Sequence, residues 1–238
     1  MLKVTGSVNI VSHSANLQVT AILDFEHEEV QRAVRAMSQP GQTGRSFLRK
    51  AHLALSETIL PVYSVDEWQP ASKTLQEKRA SCSQRMACLE AIARAASIPT
   101  RVRVLFVRGS FWYPRFRFSR WFIPKRILLL WPQFLLEQAW VDFDELHGAP
   151  AQLAAAAHRG FRNDGESLFE AVRNMPVDFL GKTCGLACAK PEHDLSRFVL
   201  KDAGFFDIRD DVFRKFGSFQ HTLRGRLFEL VFDGRKSS

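Results

Sequence analysis

LQEKRASCSQRMACLEAIARAASIPTRVR, Leu75–Arg103, reads as a cysteine in the first turn of a helix, followed by a strand. Ser81 is a good N-cap, which puts Cys82 at the helix start. Met86, Leu89, Ile92, Ala93 and Ala96 recur at helical spacing. Pro99 stops the helix, and Val102, Val104 and Phe106 then alternate as in a strand. A thiol in a first turn feels the positive end of the helix dipole, and Lys78 and Arg79 add positive charge. Both effects favour the nucleophilic thiolate.

Outward from this stretch, residues 2–22 alternate as one or two strands through Val4, Val8, Ile10, Leu17, Val19 and Ala21. Residues 27–37 and 45–60 read as helices separated by Pro40-Gly41, and Pro61 to Pro70 as a loop. After the strand at 101–108, the residues 127–136 and 139–144 form two more strands. Their two-residue link, Glu137-Gln138, predicts an antiparallel hairpin. Residues 152–159 read as an alanine-rich helix, 160–195 mostly as loop with a short helix near 166–173, and 209–216 as a helix. Helices first, then a helix leading into antiparallel strands, predict a single α+β domain over 1–238, with a core at about 20–150 and an extension at about 151–238.

Composition sets the class. The chain has 238 residues, 46% apolar and 24% charged, as in an ordinary folded protein. Its net charge of +8 permits an acidic partner without requiring one. There is no signal-peptide pattern and no apolar run long enough to span a membrane, so a reducing cytoplasm is the expected setting. Cys82/Cys88 and Cys184/Cys188 lack zinc or redox spacing, and Cys184, Cys188 and His193 make only three ligands; neither metal nor cofactor is expected.

The order of a helix bearing a cysteine, then strands supplying a histidine and an aspartate, is similar to that of the transglutaminase-like superfamily, a papain-like fold. ASKTLQEKRASCSQRMACLEAIARAASIPTRVRVLFV resembles that family's cysteine block, and ILLLWPQFLLEQAWVDFDEL its histidine–aspartate block. Weaker echoes, LDFEHEEVQ at 23–31 and DAGFFDIRDDVFRKFG at 202–217, extend the resemblance to roughly 20–235. It implies an α+β fold with the Cys-bearing helix packed on an antiparallel sheet. It implies Cys82 as nucleophile, Asp144 as the triad acid, and Trp131 and Trp140 as the family's two tryptophans. The histidine position falls on Leu129, and residues 127–136 contain no histidine.

The chemistry needs that imidazole. It takes the thiol's proton and later protonates the leaving group, while a carboxylate orients it. Leucine does neither. His147, just beyond the Asp144 strand, is the first of seven histidines to consider as a substitute, before His221 and the rest.

Residues 109–126, GSFWYPRFRFSRWFIPKR, interleave aromatics with Arg115, Arg117, Arg120, Lys125 and Arg126. The favoured reading is a loop folded over the cleft, with aromatics buried and arginines solvated, in a position to set substrate choice. Trp112 and Trp121 then join Trp131 and Trp140 as candidate substrate-binding residues.

Two functions follow. One is thiol-dependent acyl transfer, or amide or thioester cleavage, through Cys82 on a small-molecule, acyl-carrier or peptide substrate in bacterial specialised metabolism. The other is a catalytically impaired relative whose cleft binds a ligand or a protein partner. A nucleic-acid or membrane-surface module using 109–126 is a weaker third, with nucleic acid disfavoured.

Overall fold

A computed structural model describes residues 15–116, 118–157, 159–184 and 191–232. Two helices come first, α1 (Glu28–Met37) and α2 (Gly44–Thr58). A short α3 (Ala71–Glu77) lies between β1 (Leu60–Pro61) and β2 (Arg79–Ala80), which pair in parallel. The central helix α4 (Cys82–Ala95) leads into β3 (Thr100–Arg108), and β4 (Arg126–Leu136) and β5 (Ala139–Asp142) form the hairpin. Then come α5 (Pro150–Ala156), α6 (Leu168–Ala171), β6 (Val199–Phe206), α7 (Arg209–Phe216) and α8 (Leu223–Phe232). The main sheet is antiparallel, in the order β5-β4-β3-β6. The expected α+β class, with the cysteine-bearing helix on an antiparallel sheet, is the observed one.

Local chemistry explains α4. Ser81 Oγ accepts from the Gln84 N–H at 3.3 Å, and Gln84 Oε1 accepts from the Ser81 N–H at 2.8 Å. This capping box satisfies two otherwise orphaned amides. The helix is buried on all sides, from Gln84 to Arg94, which a single apolar stripe does not predict. Its polar residues are therefore paired. Glu90 forms a buried ion pair with Arg209 of α7, 2.5 Å between Oε1 and Nη2. Arg94 donates to Thr100 Oγ1 at 2.8 Å and to the carbonyls of Gln18 at 2.7 Å and Asp207 at 2.6 Å. These bonds tie α4 to both ends of the described chain.

The Glu137-Gln138 link turns with both residues at positive φ, 53° and 65°, as a two-residue hairpin of this twist requires. Gly109 closes the 109–126 insertion: its N–H donates to the Lys125 carbonyl at 2.9 Å, and a Cβ there would lie 1.8 Å from the Pro124 oxygen. The insertion, the loop after β1 and α8 share a second small core around Val65, Phe116, Phe122, Ile123 and Phe228.

Several expectations are corrected. Residues 15–17 form a 3-10 turn and 18–22 are irregular, so Leu17, Val19 and Ala21 are not on a strand; Val4, Val8 and Ile10 lie outside the described residues. β5 ends at Asp142, and Asp144 sits in the 3-10 turn Phe143–Glu145 rather than on a strand. β6, expected as part of a tail, is an edge strand on β3. Its many polar and glycine positions conceal a strand in the sequence, and pairing with β3 supplies what local propensity does not.

Candidate functional site

Cys82 lines a cavity of about 740 Å³ between the start of α4, β3, β4, the insertion and the α7–α8 segment. The volume is in the range of small-molecule sites. Phe106, Phe116, Leu129, Phe213 and Phe228 make much of the wall apolar. Ser64, Glu67, Ser83 and Asn163 add polar groups to the lining. Ser83 Oγ donates to Glu67 Oε2 at 2.6 Å, and burial raises the Glu67 carboxyl pKa.

The thiol is not activated as its position in the helix implied. It is half-buried, its surroundings are largely apolar, and desolvation pushes its pKa up to about 11. Arg85, one turn along α4, pulls it down, Glu170 pushes it up, and hydrogen bonding to the Phe169 backbone and the charge of Arg115 lower it. Lys78 and Arg79 are exposed and are not among these influences. Arg85 is itself fully buried and committed. It pairs with Glu170, donates to Ser167 Oγ at 2.8 Å and lies over the Phe169 ring.

Leu129 lies in the cavity wall. Trp131, two residues on and therefore on the same sheet face, points its indole N–H at Asp144 Oδ1, 2.8 Å away. Lys182 reaches Asp144 Oδ2 at 3.5 Å, Asp142 at 2.5 Å and Glu145 at 2.8 Å. The Asp178 carboxylate holds that lysine's loop by accepting from the amides of Leu180, Lys182 and Thr183. Asp144 is thus held by an indole and an ammonium. Burial nevertheless raises its pKa to about 6, against the opposing pull of Lys182 and Trp131.

Among the described residues no histidine lines the cavity. His147 is instead bonded through Nε2 to Nδ1 of buried His52 at 2.9 Å, and His52 Nε2 contacts the Phe169 carbonyl at 2.5 Å. Burial lowers both histidines to about 4. His221 is exposed on the α8 side, and His27 caps α1. His193 is buried in a 3-10 turn, whereas His13 and His158 lie outside the described residues.

Of the four tryptophans singled out, Trp112 lines the cavity. Trp131 is buried behind the wall and serves Asp144. Trp140 lies under the Arg101 guanidinium at 4.2 Å, and Trp121 stands on the surface stacked on Phe122. Cys184 is exposed, and Cys188 lies outside the described residues. Sequence reasoning missed Glu67, Arg85 and Lys182. Arg85 carried a signal, being a charged residue on a helix that turns out to be buried all round; Lys182, far along a loop, carried none.

Comparison with known proteins agrees with this architecture. The family model of the transglutaminase-like superfamily matches residues 32–145, from within α1 to just past Asp144, a narrower span than the expected 20–235. No curated protein matches the chain. A crystal structure from Cytophaga hutchinsonii, described as a "putative cysteine protease", is similar at 14% identity with a TM-score of 0.43. That similarity covers 58% of this chain and 43% of the other, so the chain spans less than half of that protein's length.

Proposed function

We propose that this chain, which carries a transglutaminase-like core over residues 32–145, acts as a binding relative of the family's thiol enzymes. Its cavity takes a small molecule with an apolar portion, and Cys82 is part of the wall. One observation supports this reading: Leu129, at the position the resemblance gives to the imidazole, is in the cavity wall, and Asp144 accepts from the Trp131 indole. Without a base the thiol keeps its proton, and losing a triad base costs several orders of magnitude in rate.

Alkylation tests it. With iodoacetamide at pH 7.5, read peptide by peptide, exposed Cys184 serves as the internal reference. Cys82 is expected to react at least about a hundredfold more slowly than Cys184, because its thiolate is scarce. A matching or faster rate at Cys82 would sink the reading. A fluorescent long-chain fatty acid is expected to bind saturably, and Leu129→Gln to weaken that binding by about tenfold by placing an amide in the apolar wall. Absence of saturable binding counts against it equally.

A second reading, acyl transfer or thioester cleavage through Cys82, is favoured by one feature: the thiol sits in the first turn of a capped helix and faces a substrate-sized cavity. Turnover that Cys82→Ala abolishes would establish it over the first.

A further inference from the structure

The second core leaves an exposed face that meets the cavity only at Leu223 and Arg126. Phe118 is 98% exposed and Trp121 65%, the latter held rigidly with its ring stacked 3.5 Å from that of Phe122. Beside them, α8 packs Phe228 inward, with the Phe116 ring 5.6 Å away. Gly225 lets α8 lie against the turn before it, since a Cβ there would lie 1.9 Å from the Phe219 carbonyl oxygen. With Phe228 turned in, Leu223, Leu227 and Leu230 remain outside, at 86%, 42% and 84% exposure. Their i, i+4, i+7 spacing puts them on one stripe.

Burying such residues is favourable, so two exposed rings and a leucine stripe call for a partner. The charge around them says which kind. Arg120, Lys125, Arg126 and Arg226 are all exposed, and none is in an ion pair among the described residues. Residues 109–126 contain no Asp or Glu, and α8 contains only Glu229. Exposed aromatic and leucine side chains on segments that also carry cations outside any ion pair match the interface of an anionic bilayer. There the rings and leucines enter the acyl boundary and the cations meet phosphate.

We infer that the face formed by Phe118, Trp121 and the Leu223–Leu227–Leu230 stripe of α8 docks on an anionic membrane surface. Leu223 and Arg126 also belong to the cavity rim, so docking would set the mouth of the cavity against the lipid. No helix among the described residues is long and apolar enough to cross a membrane; the contact is with the surface only. The inference stands apart from the binding reading, because vesicle docking and fatty-acid binding are measured separately and either can fail alone.

Sedimentation with vesicles tests it. The full chain is mixed with phosphatidylcholine vesicles, or with vesicles of about one-third phosphatidylglycerol, across salt from about 50 to about 500 mM. Binding is expected on the anionic vesicles and to fall steeply with salt. The double variant Phe118→Ser/Leu230→Ser, both at exposed positions outside the cavity, should lower partitioning by at least about tenfold. Lys125→Gln and Arg226→Gln should each lower it by about fivefold on anionic vesicles. Three results would overturn the inference: no binding to anionic vesicles at low salt; binding that ignores both lipid charge and the double variant; or a dimer in solution that the double variant dissociates, which would give the face to a second copy of the chain.

Discussion

The two halves of the candidate site differ in kind. Around Asp144 the polar surroundings are rich: Trp131, Lys182, Asp142 and Glu145 crowd one carboxylate, and a loop ordered by Asp178 delivers the lysine. Around Cys82 the capped helix start persists, but the opposing wall is Leu129 and phenylalanine. A carboxylate buried in protein must find donors or lose its charge, so when an imidazole is absent, an indole and an ammonium are adequate partners. A thiol has no such need. It is a small, weakly polar group that stays neutral when buried. The acid half is thus a structural cluster and the cysteine half a largely apolar wall.

Breaking the acid half should have the largest effect. Lys182→Met leaves Asp142, Asp144 and Glu145 facing one another without their cation, and should cost about 3 kcal/mol of stability by urea unfolding. A cost under about 1 kcal/mol would mean the cluster is effectively solvated. Trp131→Phe keeps the ring and removes the N–H that Asp144 accepts from. It should cost about 2 kcal/mol and move the Asp144 titration, followed by NMR, above its value of about 6.

Rejoining the halves sharpens the contrast. Leu129→His returns an imidazole to the cavity wall, on the face that carries Trp131. Cys82 alkylation should then speed up by about tenfold near pH 7.5, a change equal to one unit of thiol pKa. No change would mean that position 129 does not reach the sulfur.

The gentlest lever is pH, because two contributions oppose each other. His52 and His147 titrate near 4 in the folded chain, below their ordinary value of 6.5. The unfolded chain therefore binds more protons between these values, and this contribution is lost as pH falls from 6.5 towards 4. Asp144 titrates near 6 against an ordinary 3.8. In most of the same window the folded chain holds its extra proton, so this contribution grows as pH falls. The net change in wild type should follow the two histidines, and be smaller than they would give alone. Asp144→Asn removes the second contribution, so its unfolding midpoint should drop more steeply than that of wild type between pH 6.5 and 4. Parallel curves would remove the carboxyl from the account.

Much of the centre was legible in the chain. Ser81 announces the cap, Met86 to Ala93 the helix, and Val102 to Phe106 the strand; two residues between apolar runs announce the hairpin. Even the missing base was visible as Leu129. The flanks were less readable. His147 looked promising because it lies near Asp144 in sequence, yet it is bonded to His52 on α2. Residues 199–206 carry too little alternating hydrophobicity to declare the strand that pairs with β3.

The sequence by itself determined the helix that carries Cys82, the strands that follow and the absence of an imidazole at 129, because periodicity, capping and turn preference act over a few residues. Only the tertiary structure decided that burial raises the thiol pKa, that Asp144 is held by Trp131 and Lys182, and that phenylalanines from the middle and the C-terminal part of the chain share one cavity. Desolvation and long-range pairing depend on which distant segments meet, and no local pattern encodes that meeting.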